Sequence, residues 1–220
     1  MKWNQEGIEA MNKGEYEKAA EAFTKAIEED KKNPTGYINF GNLLGAVGEL
    51  DKALVFFDKA IEYDEKAATA YYGAGTIYYK QDQFENAIKM FKQAQQLHLE
   101  EADLYFMLGM SYYQLEALAY AQANFQRAVE LNDSDVDARF QYGLVLAQLE
   151  MIDEAIEQLT TVIHKDPQYA DAHFNLGVAY AYQEKWNEAL DSFERTLEIQ
   201  PTHGLAANGK KTIQQALNQG

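Results

Sequence analysis

The sequence predicts an all-α array of antiparallel helix hairpins, and three observations carry that prediction. Glycine recurs at 7, 41, 75, 109, 143 and 177, each 34 residues after the last. Alanine keeps the same period at 19, 53, 87, 121, 155 and 189. Around these columns apolar residues fall at helical spacing, as in Tyr71, Ala74, Gly75 and Tyr78, then Phe84, Ala87, Ile88, Phe91 and Ala94. No insertion breaks the register over six units, and a fixed period of this size marks a repeat array.

Each 34-residue unit accommodates two helices of about twelve to fourteen residues and two short turns. The units are 1–33, 34–67, 68–101, 102–135, 136–169 and 170–203, and residues 204–220 are expected to form a C-terminal capping helix. The first helix of each unit carries the glycine column, and the second carries the alanine column. Two helices packed closely need residues without bulk where their backbones approach, and Gly and Ala meet that need. Further along the second helix, Phe23, Phe57, Phe91, Phe125, Leu159 and Phe193 form a column of large residues. These are expected to fill the gap between one hairpin and the next. Ala26, Ala60, Ala94, Ala128, Val162 and Thr196 form a small or β-branched column after them. The turn within each hairpin holds Gly14 and Gly48 in the first two units, then Asp82, Glu116, Glu150 and Glu184. If that turn needs the left-handed conformation, each non-glycine residue there costs roughly 1 kcal/mol. All three prolines, Pro34, Pro167 and Pro201, fall at junctions between units, where a helix must stop.

The pattern resembles the tetratricopeptide repeat (TPR) family, whose unit is a 34-residue helix–turn–helix. The segments that carry the resemblance include YINFGNLLGAVGELDKALVFFDKAIEYD (37–64) and AHFNLGVAYAYQEKWNEALDSFERTLEIQP (172–201). It covers residues 1–203. More narrowly, AATAYYGAG (67–75) and ARFQYG (138–143) resemble stand-alone members of the family from Gram-positive bacteria. The first unit departs from the pattern with Glu6 at a normally apolar position, and repeats 3 and 4 lack the junction proline. The resemblance implies a right-handed superhelical solenoid whose first helices line a concave groove, with a protein or peptide partner held in it.

With Gly41 as position 8 of its unit, the resemblance places positions 2, 5, 6, 9, 12 and 13 in that groove. Position 5 supplies Ile38, Tyr72, Phe106, Phe140 and Phe174, and position 9 supplies Asn42, Thr76, Met110, Leu144 and Val178. Tyr79 and Tyr113 stand at position 12, Lys80 and Tyr182 at position 13, and Asn39 and Asn175 at position 6. These sixteen residues are the candidate peptide-binding groove. Tyrosines suit a wet recognition surface because each pairs contact area with a hydroxyl, and an asparagine can hold a peptide backbone through both donor and acceptor. The competing expectation is that the aromatic residues pack sideways on the adjacent first helix. No unit has a Lys at position 5, so the carboxylate clamp of chaperone-binding TPR domains is not expected. Asp103, Asp137 and Asp171 at position 2 read as a negative rim or as first-turn carboxylates that favour the helix N-terminus. Arg139, Lys210 and Lys211 could add positive charge, although a buried Arg stem paired to a carboxylate explains Arg139 as well.

Composition narrows the function. The chain has 220 residues, 47% hydrophobic and 25% charged, with 19 basic and 35 acidic side chains and a net charge of −16. Residues 1–92 hold 12 basic and 16 acidic residues, whereas 93–203 hold 5 and 19. Such acidity opposes direct nucleic-acid binding and steers basic partners toward the later units. The absence of Cys removes disulfides and thiol chemistry. The longest purely apolar run, Ala53–Phe57, cannot span a bilayer. MKWNQEG lacks the apolar core of a secretory signal, so a cytoplasmic protein is expected. His98, His164, His173 and His203 show no metal-binding spacing, and no phosphate loop or nucleophile set stands out. The chain therefore reads as a non-catalytic adaptor without cofactor or metal. Two alternatives stay open: a module that self-assembles by placing its tail or cap in another copy's groove, and an accessory subunit of an enzyme complex such as one of RNA metabolism.

Overall fold

A computed structural model describes residues 2–217, so Met1 of the first unit and 218–220 of the expected cap lie outside the described residues. The described residues form thirteen α-helices and no strand. The first helices are α1 (Lys2–Asn12), α3 (Pro34–Ala46), α5 (Ala68–Lys80), α7 (Ala102–Gln114), α9 (Val136–Gln148) and α11 (Ala170–Tyr182). The second helices are α2 (Tyr16–Glu29), α4 (Leu50–Tyr63), α6 (Phe84–Gln96), α8 (Leu118–Leu131), α10 (Ile152–Lys165) and α12 (Trp186–Ile199), and α13 spans Gly204–Leu217.

The chain divides into two compact units, one up to Leu115 and one from Glu116 onward. In the first, α1–α2, α3–α4 and α5–α6 pair as hairpins, each second helix packs on the next first helix, and α1, α3, α5 and α7 touch in succession. In the second, α9–α10 and α11–α12 are the hairpins, α8 packs on α9, α9 touches α11, and α13 packs on α12.

The core follows the sequence columns. Ala19, Ala53, Ala87, Ala121, Ala155 and Ala189 are fully buried, as are the Phe and Leu residues that follow them. The glycine column serves the ring rather than the backbone. A Cβ at Gly7 would stand 2.3 Å from Cε1 of Phe23, and one at Gly75 would stand 2.6 Å from Cε1 of Phe91. The ring also meets the next hairpin: a Cβ at Gly73 would lie 2.3 Å from Cε1 of Phe57. Phe57 is thus wedged between glycines of two successive first helices.

The hairpin turns are left-handed, as expected. Gly14 and Gly48 have φ of 73° and 83°, and Asp82, Glu116, Glu150 and Glu184 lie between 57° and 60°. The N–H after the turn residue reaches back five residues to close the helix, as in Glu15 to Ala10, Glu49 to Leu44, Gln83 to Tyr78 and Met151 to Leu146, each at 2.9 Å. Junctions between hairpins use a different device. Asp30, Asp64, Asn132 and Asp166 accept the N–H two residues on, which is an Asx turn. His98 occupies the same column without such a side chain, takes φ 62°, and leaves α6 one residue shorter than the other second helices.

Position 4 holds Trp3, Tyr37, Tyr71 and Tyr105, then Arg139 and His173. Arg139 is buried, donates to Oε1 of Gln158 at 2.6 Å and pairs with Asp133. Asp133 also takes Lys165 at 2.7 Å. Lys165, and after it Arg139, hold the Asp133 carboxyl below its ordinary value. Its pairing therefore stabilises the fold above the usual carboxylate range and is lost as pH falls through the depressed value.

Three outcomes follow for stability. Gly73→Ala should lower the melting temperature, at a cost of about 1–3 kcal/mol from overpacking against Phe57; Gly204→Ala, where nothing lies within 4 Å, should not. Glu116→Gly should raise the apparent melting temperature by about 1–4 °C, since relief of left-handed strain slightly exceeds the backbone entropy of Gly; an unchanged value would mean the turn carries no strain. Asp133→Asn should destabilise the protein at pH 7 in urea titrations, and the difference should shrink as pH falls below about 4.

Candidate functional site

Four residues of each first helix, at positions 2, 6, 9 and 13, form one stripe along it, because steps of four, three and four residues stay on one helical face. On α3 the stripe is Thr35, Asn39, Asn42 and Ala46; on α5 it is Thr69, Gly73, Thr76 and Lys80. The α9 stripe reads Asp137, Gln141, Leu144 and Gln148, and the α11 stripe reads Asp171, Asn175, Val178 and Tyr182.

In the first unit α3 and α5 enclose a cleft of about 170 Å³. Its rim carries Asn42, Tyr72, Thr76 and Lys80, and its floor is Phe57 and Ile77. The cleft exists because two side chains are missing. Gly45 at position 12 and Gly73 at position 6 leave space that other units fill, and Cβ atoms there would press on Ile77 at 2.7 Å and on Phe57. Position 6 elsewhere holds Asn, Met or Gln, so the doubled glycine was visible in the sequence as a signal of a hole. Lys80 reaches across to donate to the Gly45 carbonyl at 3.1 Å, in the last turn of α3. That contact suits a cation at a helix C-terminus. Thr76 donates to the Tyr72 carbonyl at 3.0 Å. Burial, and then the Asp103 carboxylate, raise the Tyr72 pKa, which keeps its hydroxyl protonated as a donor.

Other candidates fall on both sides of the surface. Asn39 donates to Oδ1 of Asn4 at 3.0 Å across α1 and α3, so half its amide is committed. Ile38 packs into the core cluster around Ala53 and Phe57. Tyr72 lies 5.7 Å from Phe91, and Tyr79 meets Phe84 edge-on at 5.4 Å, so both rings lean on the second helix. Phe106, Met110 and Tyr113 on α7 are half-buried. In the second unit Phe140 is 7% exposed and packs at 4.9 Å on Tyr169. Its expected place in the groove is therefore wrong: the ring turns into the space below the next first helix. Phe174 is half-buried between Phe193 and His203, at 5.9 and 4.7 Å. Leu144 leans on the same core as Phe140. Asn175 donates back to the Asp171 carbonyl of its own helix at 2.7 Å. Val178 and Tyr182 remain open, 45% and 63% exposed.

The position 2 carboxylates have specific neighbours. Asp137 accepts the Tyr169 hydroxyl at 2.9 Å, and burial followed by that carboxylate raises the Tyr169 pKa. Asp171 lies 3.8 Å from Nε2 of His203, whose Nδ1 accepts the Ala206 N–H at the start of α13. Lys210 is held by Glu194 at 2.9 Å. Among the described residues no group of three or more His, Cys, Asp or Glu is placed to hold a metal, and no helix is long and apolar enough to cross a membrane.

Tetratricopeptide repeat models match residues 2–33, 38–98, 72–121, 106–156 and 170–203, and a TPR repeat model matches 143–183. The TPR repeat-containing protein YrrB of Bacillus subtilis (strain 168) is 68% identical over 37 residues, which is 17% of this chain and 18% of that protein. The chain thus spans about a fifth of that curated relative in the matched segment. The crystal structure of YrrB, a TPR protein with an unusual peptide-binding site, is 50% identical, with 88% of this chain and 100% of that one covered and a TM-score of 0.83. A MamA crystal structure is 26% identical over 78% of this chain and 93% of its own, with a TM-score of 0.72. The 34-residue helix hairpins and these likenesses together show that the chain belongs to the tetratricopeptide repeat family.

Proposed function

We propose that the protein is a non-catalytic adaptor whose first-helix stripes hold a peptide or helix of a partner protein. The α3–α5 cleft is the observation that carries this reading. It is an apolar-floored hole for one side chain, rimmed by an exposed amide at Asn42, the Tyr72 and Thr76 hydroxyls and the Lys80 ammonium. An apolar floor with a few placed polar groups is the chemistry of a recognition pocket. The likeness to YrrB, whose structure has a peptide-binding site, supports a peptide as the ligand. The six-unit division over 1–203 with the cap at 204–220 belongs to the same proposal, as does a reducing, cytoplasmic setting, which the lack of Cys favours.

Panning a random peptide library on the wild-type protein tests it. Peptides so selected should bind Asn42→Arg at least ten times more weakly, because the exposed position 42 looks into the cleft and an Arg would fill it. Lys92→Ala on the second-helix side should bind them normally, and the helical circular dichroism of both variants should match wild type. Unaltered binding to Asn42→Arg would remove the cleft from the ligand site.

A further inference from the structure

The stripes differ in charge. In the first unit those of α3 and α5 hold one cation, Lys80, and no carboxylate, whereas that of α7 begins with Asp103. The α9 and α11 stripes of the second unit each begin with an exposed carboxylate, Asp137 and Asp171, and hold no cation. Most of the unit's other cations are already committed. Arg127, Arg139, Lys165, Arg195 and Lys210 each hold a carboxylate of the second helices or their junctions, Lys185 lies over the Tyr180 ring, and Lys211 stands on α13. Residues 116–217 contain 16 acidic against 7 basic side chains, a negative surplus that lies before α13, which holds Lys210 and Lys211 and no acid.

The α11 stripe joins this charge to apolar surface. Val178 and Tyr182 are four residues apart on one helical face, and both are among the exposed large hydrophobic residues. Asp171 begins the same stripe seven residues before Val178, about 10 Å along the axis at the helical rise. Charges more than about 8 Å apart across solvent are largely screened at physiological ionic strength. What selects a partner is therefore the carboxylate beside its landing place, rather than the net charge of the chain.

We infer that the α9–α11 face takes a basic segment of a partner protein, with a bulky apolar side chain on the Val178–Tyr182 strip and a Lys or Arg against Asp171 or Asp137. The inference rests on the adaptor reading and adds the charge of the ligand. The 10 Å between anchor and carboxylate sets a spacing. The cation and the apolar residue stand about three residues apart in an extended segment or about seven apart in a helix.

Two fluorescein-labelled twelve-residue peptides with the same leucines test this, one carrying lysine and the other glutamate three residues before each leucine. In fluorescence anisotropy with the full chain at 50 mM salt, the lysine peptide should bind at least tenfold more tightly. That preference should narrow at 200 mM salt. The double variant Asp137→Asn, Asp171→Asn should reduce the preference three- to tenfold, and Val178→Lys should abolish binding of the lysine peptide while its circular dichroism stays native. Equal or tighter binding of the glutamate peptide would overturn the charge assignment. Lysine-peptide binding that survives Val178→Lys would reduce the effect to diffuse attraction by an acidic surface and would also overturn it. So would concentration-dependent dimerisation lost in Val178→Lys, since a second copy would then occupy the face. If neither peptide binds while the library peptides do, the inference fails and the adaptor reading stands; if the library also yields nothing, the adaptor reading itself fails.

Discussion

The contact that the remaining structure depends on is a large side chain of the second helix seated over the glycine of its own first helix. A methyl at Gly7, Gly75 or Gly177 would enter a phenyl ring, so these first helices have no freedom at position 8, and Gly41 and Gly143 lie nearly as close to Phe57 and Leu159. The ring completes the hairpin, and where the following hairpin also offers glycine, as Gly73 does to Phe57, it completes the stack as well. One hairpin buries its apolar face only against a neighbour, so this wedge joins weak hairpins into a core within each compact unit. It also fixes the azimuth of each first helix. With position 8 held against the ring, positions 2, 6, 9 and 13 have no choice but to face away from it.

Strain at the turns is tolerated for the same reason. Four non-glycine residues stand at φ near 60°, a conformation that L-residues seldom adopt. The hydrogen bond from the following residue back to the last turn of the first helix survives at Gln83, Met151 and Lys185 as it does after Gly14 and Gly48. Tertiary packing thus dictates the path of the chain, and the turn residue adapts to it. The junctions between hairpins show the opposite balance. There a local side-chain bond from Asp or Asn supports the path, which Gln200 also follows without one, whereas at His98 the backbone changes and α6 is shorter.

This division explains what was legible in the sequence. The 34-residue columns marked the paired helices and the buried alanines, because those follow from spacing; Gly14 and Gly48 only raised the left-handed turn as a condition, which the backbone meets. The position 5 aromatics were ambiguous because helical period gives the face of a residue and not the reach of its side chain. Phe140 and Tyr72 start on similar positions, yet Phe140 closes on Tyr169 and is buried, whereas Tyr72 stays at the rim of a cleft. The difference lies in the neighbouring helix, where Tyr169 is large and Gly45 is absent as a side chain. The hole beside Gly45 and Gly73 was written as two missing residues, and missing residues are harder to read than present ones. Arg139 was similarly two-sided until Asp133 and Gln158 were seen to hold it.

The stripes carry what individuality the protein has. Apart from Gly73, which Phe57 needs, their residues contribute little to the wedge, and from one unit to the next they do change. Thr69, Asn42 and Lys80 give way to Asp171, Leu144 and Tyr182 at positions 2, 9 and 13. Acidity on the second helices is mostly paired or solvated, as Glu62 with Lys59 and Glu198 with Arg195 illustrate, and exposed pairs of that kind contribute little to stability. A carboxylate at position 2 of a first helix is different, because it stands beside exposed apolar surface where a bound segment would exclude water. Excluding water lowers the local dielectric and strengthens the attraction for a cation there. Under the proposed mode of binding, the same charge is nearly silent on one face of the hairpin and discriminating on the other, and its position in the repeat decides which.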